Sequence, residues 1–122
     1  MISDLIDRYF AAVNAEDWPA LQGLFAADAV MAATGAPIRR GREAVLAHYP
    51  QVLARFPEHM DTPTRRLDCG DTVVVEIAFA GRLHDGRAIT FDAVDVFDLA
   101  GGRIARLSSW YDTAAVSAAI RG

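Results

Sequence analysis

Residues 91–112, FDAVDVFDLAGGRIARLSSWYD, read as two β-strands joined by a tight turn. Val94, Val96 and Leu99 bring the β-branched and apolar character of a strand, and Ala100-Gly101-Gly102 supplies the turn. Alternation puts Phe91, Ala93, Asp95 and Phe97 on one face of the first strand. That face is apolar except for Asp95. A carboxylate among aromatic and aliphatic neighbours must be paired, protonated or placed in a wet cavity, because burying it alone as an anion is prohibitive.

Working outward, the period-two pattern continues upstream. Residues 64–69, 72–83, 88–99 and 103–111 read as successive strands, with turns at Gly70-Asp71 and at His84-Asp85-Gly86-Arg87. Before them the period is helical. Residues 3–15 form an amphipathic helix with Ser3 and Asp4 at its start, and Asp17 caps a second helix carrying Trp18, Leu21, Leu24 and Phe25. A short strand covers 29–34. Residues 42–56 are helical with Pro50 as a kink or break, and the tail from Thr113 makes a terminal helical turn. Helices followed by strands predict one α+β domain over 1–122, with N-terminal helices packed in the concavity of a curved mixed or antiparallel sheet. Such a sheet leaves a pocket for an apolar small molecule.

The bulk composition narrows the function. At 122 residues, with 52% hydrophobic and 23% charged residues, the chain is globular. A net charge of −4 opposes binding to nucleic acid, and Arg39, Arg40 and Arg42 read as a solvated cluster. Cys69 is the single cysteine, so no internal disulfide forms. His48, His59 and His84 have no metal spacing; His48 and His84 read as surface residues. No metal or cofactor is implied. No leader pattern or membrane-length apolar run is seen, which sets a cytoplasmic location as the expectation.

A two-residue turn at Asp85-Gly86 would set Glu76 opposite Asp95 as a carboxylate pair; a bulge would dissolve it. In that register Val75, Ile77, Phe79, Val94 and Val96 share the other face, a candidate homodimer interface.

Three segments, RYFAAVNAEDWPALQGLFAADAV at 8–30, GREAVLAHY at 41–49 and VDVF…GGRI at 94–104, resemble the nuclear transport factor two-like superfamily. That group includes ketosteroid isomerases, SnoaL-like polyketide cyclases and limonene epoxide hydrolases. The resemblance implies a cystatin-like cone of helices and bent sheet. By position it implies that Tyr9 and Asp95 donate hydrogen bonds to an oxyanion, backed by Tyr49. It further implies that Asp112, after the last strand, moves a proton. The usual base position of ketosteroid isomerases holds Ala33, and Ala93 precedes Asp95 where epoxide hydrolases keep an arginine, so the hydrolase reading ranks below an isomerase or cyclase.

Each candidate also has a plainer reading. Tyr9 fits a core stripe, Asp112 fits a helix N-cap, and Glu76 fits an exposed strand position. Trp18, Phe25, Phe56, Phe91, Phe97 and Tyr111, with Met31 and Ser109, are the candidate pocket wall, though such aromatics also fit a core. The expected function is enolisation of an apolar carbonyl compound by an isomerase or cyclase, with a non-catalytic binding or dimerisation domain as the competing class.

Overall fold

Leu5, Ile6, Tyr9, Phe10, Ala12 and Val13 recur at helical spacing and are buried together on one side of helix α1 (Ile2–Ala15). The structure is a computed structural model describing residues 2–122, with side chains from Asp4 onward. The Ser3 side chain, expected as a cap, lies outside the described residues.

Asp17 caps α2 (Trp18–Gln22), accepting from the Ala20 amide at 3.2 Å. This helix is shorter than its apolar pattern predicts. It stops before Gly23, and Phe25 instead opens strand β1 (Phe25–Ala33), which runs parallel to the last strand. The tertiary pairing overrides the helical spacing, and it makes the sheet mixed. A two-residue strand, β2 (Arg39–Arg40), leads into α3 (Arg42–Leu53). Pro50 neither splits nor ends α3, which runs one further turn to Leu53, leaving Phe56 outside it.

Four long strands follow: β3 (Glu58–Cys69), β4 (Thr72–Arg82), β5 (Ala88–Ala100) and β6 (Arg103–Tyr111), then α4 (Thr113–Arg121). The sheet order is β2-β1-β6-β5-β4-β3. Strand β3 begins six residues before the expected Thr64. Pro63 is accommodated because β3 is an edge strand and bulges between Pro63 and Arg65.

The β4–β5 turn corrects the expected register. Leu83 N donates to Arg87 O at 2.9 Å, and Gly86 N donates to Leu83 O at 2.9 Å, so the loop is His84-Asp85-Gly86, three residues and not two. Gly86 supplies the left-handed backbone (φ 88°) such a loop requires. Every pair therefore shifts by one. Asp95 faces Val75, and Glu76 faces Val94. Val75, Ile77 and Phe79 are buried on the inner face with Phe91, Ala93, Asp95 and Phe97, whereas Val94 and Val96 lie on the outer face. The expected carboxylate pair is absent, and the five residues proposed for a dimer interface do not share a face.

The main core joins α1, α2 and α3 to the inner face of the sheet. A smaller cluster of Phe56, Phe79, Leu83 and Ile89 closes its far end. There Gly81 lets two rings approach: a Cβ at this position would stand 2.9 Å from both Phe56 and Phe79. Helix α4 lies across this end with no fully buried residue. Its final turn is held by Arg87, whose guanidinium donates to Ala119 O (3.0 Å) and Ile120 O (2.6 Å) while Asp85 braces it at 2.9 Å. No helix among the described residues is long and apolar enough to cross a membrane.

Candidate functional site

Between α1, α3, α4 and the inner face of β3–β6 is a cavity of about 410 Å³. Its floor is set by strand register. Ala33, Ser109 and Asp95 lie in one row across β1, β6 and β5. Asp95 is 6% exposed, and Ser109 donates its hydroxyl hydrogen bond to the carboxyl. Burial pushes the Asp95 pKa up to about 7, the nearby Asp61 carboxylate adds to the rise, and the Ser109 bond opposes it. Near neutral pH a large share of Asp95 is thus a carboxylic acid that can donate a hydrogen bond.

The helices contribute two phenols. Tyr9 on α1 and Tyr49 on α3 are buried, with their oxygens 2.9 Å apart. Burial, foremost, raises both well above the ordinary phenol range, so both remain donors. The Tyr9 ring is fixed edge-on against Phe97 and Phe10 (centroids 4.9 and 5.0 Å), and Trp18 backs Tyr49 at 6.0 Å.

The structure also brings in Asp61, from the part of β3 that precedes the expected strand start at Thr64. Its side chain lines the cavity, and Asn14 grips its backbone. Burial raises its pKa, and His59 draws it back. The available signal was the alternation His59-Met60-Asp61 continuing that of β3. His48, read as a surface residue, is half-buried on the cavity wall; burial, then the charge of Arg39, lowers its pKa to about 4, so the imidazole is neutral. His84 is exposed, and its Nε2 lies 2.8 Å from Ala54 O.

The remaining candidates separate cleanly. Phe56, Phe91, Ser109 and Tyr111 line the cavity with Tyr9, Tyr49 and Asp95. Phe25, Met31 and Phe97 are sealed in the core and do not reach it, and Trp18 stands behind Tyr49. Glu76 is on the outer face, 3.7 Å from Arg65. Asp112 is exposed and caps α4, accepting from the Ala115 amide at 2.9 Å. Register removes Glu76 from the site, and capping occupies Asp112. Among the described residues no cluster of three or more His, Cys, Asp or Glu side chains is arranged to hold a metal ion.

The curved mixed sheet with helices in its concavity is a cone fold similar to that of solved proteins of ketosteroid isomerase-like and cystatin fold. The chain belongs to the SnoaL-like domain family, whose model matches residues 6–107. A candidate polyketide cyclase from Sinorhizobium meliloti is 30% identical, with 88% of this chain and 94% of that chain covered and a TM-score of 0.76. IdmH, a candidate polyketide cyclase from Streptomyces antibioticus, is 24% identical over 98% of each chain with a TM-score of 0.86. A ketosteroid isomerase-like protein from Catenulispora acidiphila, solved with trimethylamine, is 22% identical over 93% of this chain and 89% of that one, with a TM-score of 0.84. No functionally curated protein matches the chain in sequence.

Proposed function

We propose that the protein is an isomerase or cyclase that enolises an apolar carbonyl compound within this cavity. The observation carrying the reading is the pairing of a carboxyl pushed up to about 7, Asp95, with a second carboxyl, Asp61, in one cavity that also holds Tyr9 and Tyr49. Burial raises both carboxyls; Asp95, the more deeply buried, suits donating a proton, and Asp61, drawn back by His59, suits accepting one. Protonated Asp95 and the tyrosine pair hydrogen-bond the developing oxyanion. Asp61, in its ionised form, removes the proton next to the carbonyl and returns it at a second carbon or leaves the carbanion to close a ring. Asp61 takes this part because Ala33 has no acid to offer and because Glu76 and Asp112 are engaged elsewhere.

Binding of p-nitrophenol against nitrobenzene tests the donor set. The phenolate binds at least tenfold more tightly than nitrobenzene to an active oxyanion site, and Asp95→Ala removes most of that preference. Exchange of solvent deuterium into the α-carbon of an aryl ketone, abolished in Asp61→Asn, tests the base. The second reading, a non-catalytic binding domain, is favoured by the alanine at position 33. It predicts equal affinity for the two probes and no exchange.

A further inference from the structure

Of the residues that line the cavity, the exposed ones are Gln51, Val52, Arg55 and Ser117, so it opens between α3 and α4. His48, Gln51, Val52 and Arg55 recur at helical spacing and form the α3 lip. Ala54 keeps helical backbone (φ −58°, ψ −26°), so Arg55 prolongs this stripe beyond Leu53. Its segment is pinned: Phe56 N donates to Leu53 O at 2.9 Å, and His84 Nε2 lies 2.8 Å from Ala54 O. Gln51 is oriented too. Arg39 donates to its Oε1 at 2.6 Å, which leaves the amide N–H bonds as what Gln51 offers a ligand. Arg55 makes no ion pair or side-chain hydrogen bond among the described residues, and Glu58, the nearest acid in sequence, is held by Arg82 at 3.4 Å.

We propose that Arg55 and Gln51 form an anion subsite at the cavity mouth, and that the substrate is an apolar carbonyl compound with a carboxylate at the end remote from the reacting carbonyl. The proposal rests on the reading of this cavity as the substrate site. Polar groups are segregated along its depth. The interior holds the acids Asp61 and Asp95 with the neutral phenols of Tyr9 and Tyr49, and His48, one turn before Gln51, is neutral as well. Arg55 is therefore the one permanent cation on the lining among the described residues. Helix α4 brings no acid to the mouth, only the Thr113 and Ser117 hydroxyls, and Asp112 at its start is turned to the Ala115 amide. A carboxylate in the interior would meet two carboxyls, whereas at the mouth it meets a guanidinium and an amide donor. Val52, 42% exposed, with Val116 and Ile120 gives the same mouth apolar surface for the stem of such an acid. One guanidinium balances one negative charge, and its planar fork matches the two oxygens of a carboxylate.

Two aryl ketones that differ only in their tails, γ-benzoylbutyrate and the neutral γ-benzoylbutyramide, test the subsite by calorimetry on the full chain. The expected result is about tenfold tighter binding of the carboxylate than of the amide, which is what one charge-assisted hydrogen bond supplies. Arg55→Gln removes that preference, Arg55→Lys keeps part of it, and Gln51→Leu weakens it. Arg103→Gln, the same loss of charge at an exposed position outside the cavity lining, keeps it in full. Arg55 is exposed, so its variants fold as the natural chain does. Equal affinity for the two probes, or a preference that survives Arg55→Gln, overturns the proposal. Loss of the preference in Arg103→Gln overturns it too, by marking an effect of net charge alone. Binding needs no turnover. A carboxylate preference without deuterium exchange refutes enolisation and leaves the subsite standing, whereas exchange with equal affinities refutes the subsite and leaves enolisation.

Discussion

The phenol oxygens of Tyr9 and Tyr49 stand 2.9 Å apart, each enclosed by aromatic rings and each answering the other's hydrogen-bonding need. Helices α1 and α3 are thereby joined at the cavity by a polar contact within an apolar core. Tyr9→Phe or Tyr49→Phe leaves the other hydroxyl unpaired and lowers stability by about 1 kcal/mol. The double variant adds little to either single loss, because the two groups act as a unit. Urea unfolding of the three variants measures this coupling.

Asp95 makes stability depend on pH. Its folded pKa, about 7, is above the ordinary carboxylate value, so between the two the folded protein binds more protons than the unfolded chain. Stability from this group is therefore full in acid and is lost as pH rises through 7, by about 4 kcal/mol at three pH units of displacement. Asp95→Asn removes the titration. Denaturation midpoints at pH 5 and pH 8 converge in that variant, which is the more stable of the two proteins at pH 8.

Gly81 is needed for volume and not for backbone freedom. Its missing Cβ is the space that the rings of Phe56 and Phe79 occupy. Gly81→Ala forces two buried rings to move and destabilises the protein by about 1–3 kcal/mol, the usual effect of overpacking. Because these rings line the cavity, p-nitrophenol affinity falls in the same variant.

The outer face of the sheet still carries apolar surface, though not the surface expected from the shorter turn. Trp110 is 56% exposed and pairs across the strands with Val94, next to Val96. We propose that two copies meet there about a two-fold axis, each Trp110 covering the partner's valines. Sedimentation at micromolar concentration gives a dimer for the natural chain and a monomer for Trp110→Glu. A monomer in both removes the proposal.

Much of this architecture is legible in the residues. The α1 stripe, the Gly101-Gly102 turn and the alternation that turns Phe91, Ala93, Asp95 and Phe97 inward all follow from period and turn chemistry. The register of β4 does not. Asp85-Gly86 fits a two-residue turn equally well, and only the bonds between Leu83 and Arg87 and between Asp85 and Arg87 select the longer loop. One residue of difference exchanges the faces of β4, which is why Glu76 left the cavity and Val75 entered it. Asp61 was hidden differently, ahead of the expected strand start at Thr64 and before Pro63, which is tolerated at a sheet edge. Asp112 satisfied a cap as well as a catalytic pattern, and local sequence does not distinguish them.

The five residues from Leu83 to Arg87 therefore act twice. By their length they decide that Val75 and not Glu76 stands beside Asp95 on the floor, and through Arg87 they tether the helix that forms the roof. Floor and roof share one keystone. Deleting a single residue from this loop would invert the one and unmoor the other together, so the chamber's chemistry and its closure cannot be altered independently at that turn.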